Sequence, residues 1–147
     1  MYFDLDGYFK KEARRLTKTN QSIEKTVIVN GKAESKNVKI DNWEQEFNSF
    51  IAADINKASW KSAFKVEKTN EFETYTSNSE KIPVKKLIIS FSDEKVVAIK
   101  IFIVNTNDLY VSNDSLSYYP DSLYQLKKTQ KIKLMDGKKY QVTGKFN

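Results

Sequence analysis

The second half of the chain, residues 84–146, reads VKKLIISFSDEKVVAIKIFIVNTNDLYVSNDSLSYYPDSLYQLKKTQKIKLMDGKKYQVTGKF. Stretches of β-branched and aromatic residues alternate there with turn residues, a pattern typical of β-strands joined by tight connections. The connections are too short to hold a crossover helix, so we expect consecutive strands to be antiparallel neighbours. The pattern predicts five strands, at Val84–Phe91, Val96–Val104, Leu109–Tyr118, Leu123–Leu134 and Lys139–Phe146.

Two of these strands differ in how polar and apolar residues are arranged. Val96–Val104 is apolar at nearly every position, which predicts a central strand covered on both faces. In the last hairpin, Ile132 and Leu134 alternate with Lys131 and Lys133, so we expect one of its faces to meet water. We expect this Lys-rich hairpin toward one end of the sheet.

Shorter strands are predicted upstream. Phe64–Lys68 and Phe72–Tyr75 show alternation with a period of two. Ile23–Val29 and Lys32–Ile40 flank Asn30-Gly31, which is the strongest two-residue signal for a hairpin turn. The second strand of that hairpin has few apolar residues, so it is expected at an edge.

Two helices are predicted near the N-terminus. The first, from Asp4 to Thr17, carries apolar residues at spacings of three and four. The second begins at Asp41, where Asp41 and Glu44 form a capping-box pattern. An apolar stripe follows at helical spacing, made of Trp43, Phe47, Phe50, Ile51 and Ile55.

These elements predict a single α+β domain over residues 1–147. Its two N-terminal helices pack on a curved antiparallel meander sheet of about five to seven strands. The second helix lies across the sheet, with Trp43, Phe47, Phe50 and Ile51 facing it. These four side chains either fill the core or line a ligand cavity between helix and sheet, and they are the candidate ligand-binding residues.

The absence of two residue types narrows the chemistry. The chain has no Cys and no His, which excludes disulfides, thiolate nucleophiles, Ser-His-Asp triads and zinc sites built on these residues. Catalysis would need carboxylates, Lys, Tyr or a Ser-Lys pair. The paired acids Asp4/Asp6, Glu44/Glu46 and Asp93/Glu94 fit helix starts and a turn better than acid–base roles, so we predict no catalytic residue, metal or cofactor.

The net charge of +6 comes mainly from lysine. The C-terminal strands are its densest region, with aromatic residues among the lysines. This strip either binds a polyanion such as single-stranded nucleic acid or is a solvated sheet face. Arg, the preferred residue for phosphate contacts, is absent from it, so we do not expect a nucleic-acid partner. The candidate polyanion-binding residues are Lys127, Lys128, Lys131, Lys133, Lys138 and Lys139.

Three segments carry a resemblance to a known group of proteins. They are the run from Tyr2 to Phe9, the run Asp54-Ile55-Asn56-Lys57 with Trp60, and Gln130-Lys131-Ile132-Lys133 together with Tyr140–Gly144. The chain resembles uncharacterised envelope lipoproteins of Bacteroidota-type bacteria. The resemblance implies a lipid-anchored, periplasm-facing domain with no known activity, whose partner is an unknown ligand or envelope protein.

The chain has no apolar window that could span a bilayer and no signal peptide, and its abrupt start suggests that a leader was removed and Met1 added.

Three functions are therefore open. The first is a non-catalytic envelope domain that binds a ligand or a protein partner on the concave face of its sheet. The second is a carboxylate- or Lys-dependent enzyme. The third is weak polyanion binding through the Lys-rich strands. The first is favoured because the common catalytic residue types are missing.

Overall fold

The computed structural model describes residues 1–147 and consists mainly of one antiparallel sheet. The α+β prediction is confirmed at that level, but the nine strands exceed the five to seven expected and the helices are few and small. The helical elements are α1 (Leu5–Thr19), α2 (Trp43–Glu46), α3 (Asn48–Ala52) and a 3₁₀ turn (Ala58–Trp60). The strands are β1 (Ser22–Val29), β2 (Lys32–Lys39), β3 (Phe64–Lys68), β4 (Phe72–Ser77), β5 (Val84–Ser92), β6 (Lys95–Thr106), β7 (Tyr110–Tyr119), β8 (Leu123–Ile132) and β9 (Lys138–Phe146).

Strands β3 to β9 lie in the sheet in chain order, and the N-terminal hairpin β1–β2 adds to the sheet beside β9. The full order is β2-β1-β9-β8-β7-β6-β5-β4-β3, and β1 pairs with β9 so that Ile23 lies opposite Phe146. Strand β2 is an edge strand, as predicted. The Lys-rich hairpin β8–β9 is not toward one end, because the β1–β2 hairpin continues the sheet beyond it.

The sheet has two unlike faces. The helix-covered face carries Ile99, Leu116, Leu126 and Val142, and the open face carries the residues between them, such as Lys127. The prediction that both faces of Val96–Val104 are covered is wrong. Ile99 and Ile101 are buried under the helices, whereas Phe102, which lies on the opposite face, is 40% exposed. The helices all lie on one side, so nothing covers the other face.

Helix α1 is anchored at both ends. The Asp4 side chain accepts a hydrogen bond from the Gly7 N–H at 2.9 Å and caps the first turn. Asn20 takes a left-handed conformation with φ of 50° and ends the helix. Of the apolar residues predicted to share one face, all but Tyr8 are buried; Tyr8 is half-buried, and Glu12 joins the buried set. None of the helices has both the length and the apolar character needed to cross a bilayer.

The second predicted helix differs from expectation. Its cap is Asn42 rather than Asp41, because Asn42 lies in extended backbone and its Oδ1 accepts the Gln45 N–H at 3.0 Å. The helix is also divided at Phe47 into the two short helices α2 and α3. The aromatic stripe still reaches the core, since Trp43, Phe47 and Phe50 are each at most 2% exposed.

Candidate ligand-binding cleft

The predicted ligand-binding residues lie mostly inside a filled aromatic core. The Phe47 ring centroid is 5.3 Å from those of Trp43 and Phe9, and 5.4 Å from that of Tyr118. Side chains therefore occupy the space between helix and sheet at these positions. Ile51 is half-buried beside the core, and Phe50 borders an open cleft.

This cleft lies on the helix-covered face, beside α3. Its volume is about 270 Å³. Helices α2 and α3 form one wall, and strands β8, β9 and β1 form the floor and the rim. Its lining residues are Lys25, Glu46, Ser49, Phe50, Tyr124, Leu126, Lys128, Tyr140 and Val142.

The floor of the cleft is apolar because of strand register. Leu126 lies opposite Val142, which in turn lies opposite Val27, so three aliphatic side chains follow one another across β8, β9 and β1. All three are only half-buried. One register position further from the helices, Lys128 faces Tyr140, and both side chains are exposed.

At the inner end of the cleft, a carboxylate is held by two donors. Glu46 accepts a hydrogen bond from the Tyr124 hydroxyl at 2.5 Å and pairs with Lys25 Nζ at 3.1 Å. Burial, followed by the hydrogen bond to Glu46, raises the pKa of Tyr124 far above its ordinary value, so the hydroxyl stays a donor. The Glu46 oxygens are therefore engaged within the protein.

The outer end of the cleft is less tightly bonded. Lys128 Nζ lies 3.8 Å from Asp114 Oδ2, which is longer than a hydrogen bond. Asp114 instead accepts a hydrogen bond of 2.7 Å from the Ser112 hydroxyl. The Lys128 side chain is 46% exposed, and its Nζ makes no hydrogen bond of ordinary length within the protein.

The paired acids named from the sequence do not come together as a site. Asp4 caps α1, Asp6 pairs with Lys10 at 3.0 Å, and Asp93 and Glu94 form the β5–β6 turn with positive φ. Glu46, which the sequence placed beside a capping box, is the acid that enters the cleft. The structure holds no group of three carboxylates arranged to bind a metal ion.

The candidate polyanion-binding lysines divide between the two faces of the sheet. Lys128 and Lys138 lie on the helix-covered face, and Lys133 lies in the β8–β9 connection. The open face carries the other three, together with Lys145 from the same Lys-rich strands and Lys100 from β6. Those five are Lys100, Lys127, Lys131, Lys139 and Lys145.

Sequence reasoning missed most of the cleft. Alternation along β8 and β9 already places Tyr124, Leu126 and Lys128 on one face, and Tyr140 and Val142 on one face, so that signal was available. The contribution of Lys25 depends on the pairing of β1 with β9, which no local pattern reveals.

Comparison of the chain with protein-family models, with curated proteins and with solved structures finds no match.

Proposed function

We propose that this chain is a non-catalytic binding domain that holds a small amphipathic acid in the cleft between α3 and strands β8, β9 and β1. The observation that carries the proposal is the half-buried aliphatic floor beside the exposed Lys128 ammonium, which pairs with Asp114 at 3.8 Å but makes no hydrogen bond of ordinary length. Ligand sites in proteins combine an apolar surface with a few polar groups that set orientation. The cleft has both parts on one face of a rigid sheet.

The chemistry of the ligand follows from the two ends of the cleft. Its apolar part would cover Leu126 and Val142, removing their remaining surface from water. Its acidic group would face Lys128, which is held only by the 3.8 Å ion pair with Asp114, and not Lys25, which is hydrogen-bonded to Glu46 at 3.1 Å. The Tyr140 hydroxyl, opposite Lys128 in register, would supply a further donor.

A matched pair of fatty ligands tests the proposal. Dodecanoate and dodecanol share an apolar chain, and only the first carries an acid, so calorimetric titration of both separates burial from charge recognition. We expect dodecanoate to bind more tightly. Lys128→Gln should weaken dodecanoate by roughly tenfold and leave dodecanol unchanged, because one charge-assisted hydrogen bond is lost.

Lys127→Gln is the control, since Lys127 is the adjacent residue on the opposite face. It removes the same charge from the chain without touching the cleft. Leu126→Asp should abolish binding of both ligands while circular dichroism shows a folded protein. Equal dodecanoate affinity in wild type, Lys128→Gln and Leu126→Asp would overturn the proposal.

A second candidate function is weak polyanion binding by the open face. Its five lysines on β6, β8 and β9 form no ion pair, and no carboxylate lies on the open face of β6 to β9. Affinity for a single-stranded oligonucleotide should fall steeply with salt. The double variant Lys127→Gln/Lys145→Gln should weaken it, whereas Lys128→Gln should not. Equal weakening by both variants would argue against an open-face site.

The cell-envelope location remains part of the proposal on the strength of the sequence resemblance. A binding domain without catalytic groups is compatible with such a setting. Fractionation of source cells, followed by detection of the protein with an antibody, would test it. Recovery in the cytosolic fraction would contradict it.

A further inference from the structure

Three chain connections lie side by side at one end of the sheet. They are residues 107–109 between β6 and β7, residues 133–137 between β8 and β9, and the turn Asn30-Gly31 between β1 and β2. Hydrogen bonds join them, from the Lys133 N–H to the Leu109 carbonyl and from the Lys139 N–H to Asn30 Oδ1, both at 2.9 Å. We refer to these three connections together as the loop end.

The loop end carries the most exposed large apolar side chains of the protein apart from Met1. Leu134 is 97% exposed, Leu109 70% and Met135 69%. The next is Val29 at 48%, and it precedes the turn at the same end. Large apolar side chains gathered on adjacent loop tips are unfavourable in water, so their clustering points to a surface that covers them.

The backbone at Leu134 supports the same inference. Its φ is 64°, in the left-handed region, where Gly and Asn are accommodated more easily than a large side chain. Strain of this kind is common where a side chain serves a function. Leu134 is almost fully exposed, so packing within the protein does not account for Leu at this position.

The charge around these side chains is mostly positive. The acids of the loop end are Asp108 and Asp136, and no residue of this region forms an ion pair. The three connections contain no Trp, Tyr or Arg, the residues that dominate protein–protein hot spots. The lysines in and beside the connections are Lys32, Lys131, Lys133, Lys138 and Lys139.

We propose that the loop end docks on a bilayer surface that contains anionic lipid. Leu109, Leu134 and Met135 enter the boundary between headgroups and acyl chains, where their apolar surface leaves water. The surrounding lysines lie at the level of the headgroups, with flexible stems that suit this position. The two contributions reinforce each other, because burial of side chains supplies attachment and the lysines select anionic lipid.

Vesicle co-sedimentation tests the proposal with the full chain. We expect binding to vesicles of phosphatidylcholine mixed with phosphatidylglycerol, little binding to phosphatidylcholine alone, and loss of binding as salt is raised. The double variant Leu134→Asn/Met135→Ser should reduce binding at least about tenfold. Asn suits the left-handed backbone at position 134, so this variant should be no less stable to urea than wild type.

Two controls lie at the opposite end of the sheet. Val97→Ser removes an exposed apolar side chain there, and Lys18→Gln/Lys95→Gln removes two charges there. Both should bind anionic vesicles like wild type, whereas Lys133→Gln/Lys138→Gln should bind less. Absence of binding to anionic vesicles at low salt would overturn the proposal. So would a wild-type dimer in ultracentrifugation that Leu134→Asn/Met135→Ser converts to monomer, since a second copy would then cover the loop end.

Discussion

The Glu12 carboxylate accepts a hydrogen bond of 2.7 Å from the Tyr118 hydroxyl, across 106 positions of the chain. Arg15 donates to the same carboxylate at 2.8 and 3.0 Å and reaches Asp121 at 2.9 Å. Glu12 sits on the buried stripe of α1, so its charge is balanced where water is scarce. This network joins α1 to β7 and to the connection that follows it.

Removing the Tyr118 hydroxyl should destabilise the protein. Tyr118→Phe leaves a buried carboxylate with one donor fewer, so we expect a loss of about 1–3 kcal/mol in the free energy of unfolding by urea. Tyr119→Phe is the matched control, because Tyr119 lies on the open face and is only half-buried. It should change stability by less than about 0.5 kcal/mol. If both variants lowered the free energy of unfolding equally, the hydrogen bond from Tyr118 to Glu12 would contribute nothing specific to stability.

Stability should fall as pH rises above about 10, because four tyrosines hold their protons more tightly in the folded protein. Burial raises the pKa of Tyr75 to about 12 from its ordinary 10.0, and raises those of Tyr8, Tyr118 and Tyr124 further. The unfolded chain therefore releases these protons first, so their contribution is complete below pH 10 and declines as pH rises toward the folded pKa values.

Urea unfolding measured from pH 9 to pH 12 would detect this decline. Tyr124→Phe should make the slope of stability against pH shallower above pH 10, although it also lowers stability at neutral pH. An unchanged slope would mean that Tyr124 titrates at its ordinary pKa when folded.

The corrected helix cap gives a simple comparison. Asn42→Ala should cost about 1 kcal/mol, because the Gln45 N–H loses its acceptor. Asp41→Ala should be nearly neutral, since Asp41 is exposed and lies outside the cap. Thermal unfolding of the two variants would distinguish them. A larger loss of stability from Asp41→Ala than from Asn42→Ala would instead support the predicted capping box of Asp41 and Glu44.

Gly144 and Tyr124 are packed so closely that only glycine fits. A Cβ at position 144 would collide with the Tyr124 ring, which lies opposite it on β8. Gly144→Ala should therefore destabilise the protein by about 1–3 kcal/mol. In the Tyr124→Ala background the same substitution should cost much less, and a double-mutant cycle would report the difference as coupling. Additive effects would show that the ring moves away without cost.

Strand positions were largely predictable because turn chemistry and alternation are local signals. The predicted Val84–Phe91 and Leu123–Leu134 correspond to Val84–Ser92 and Leu123–Ile132 in the structure. The Asn30-Gly31 hairpin was also predicted, and Gly31 has the positive φ that such turns need. The helix α1 was predicted to within two residues at its C-terminus.

The rest depended on contacts between distant residues. Which face of β6 is covered is decided by where α1 to α3 lie, so the exposure of Phe102 could not be predicted from its own hydrophobicity. The second helix is divided at Phe47, whose ring packs against Phe9 and Tyr118, both distant from it along the chain. A buried Glu12 could have been found, because it lies three residues after Phe9 and four before Leu16 on the apolar stripe.

The pairing of β1 with β9 has a consequence for how the protein is made. Ribosomes deliver Ile23 long before its partner Phe146, and a two-stranded hairpin is marginally stable by itself. During synthesis the β1 edge of the β1–β2 hairpin therefore stays unpaired until β9 has left the ribosomal exit tunnel. We expect the seven strands from β3 to β9 to pair in chain order. The β1–β2 hairpin should then pair with β9 in the last and slowest step of folding, because β1 and β9 are far apart in the sequence.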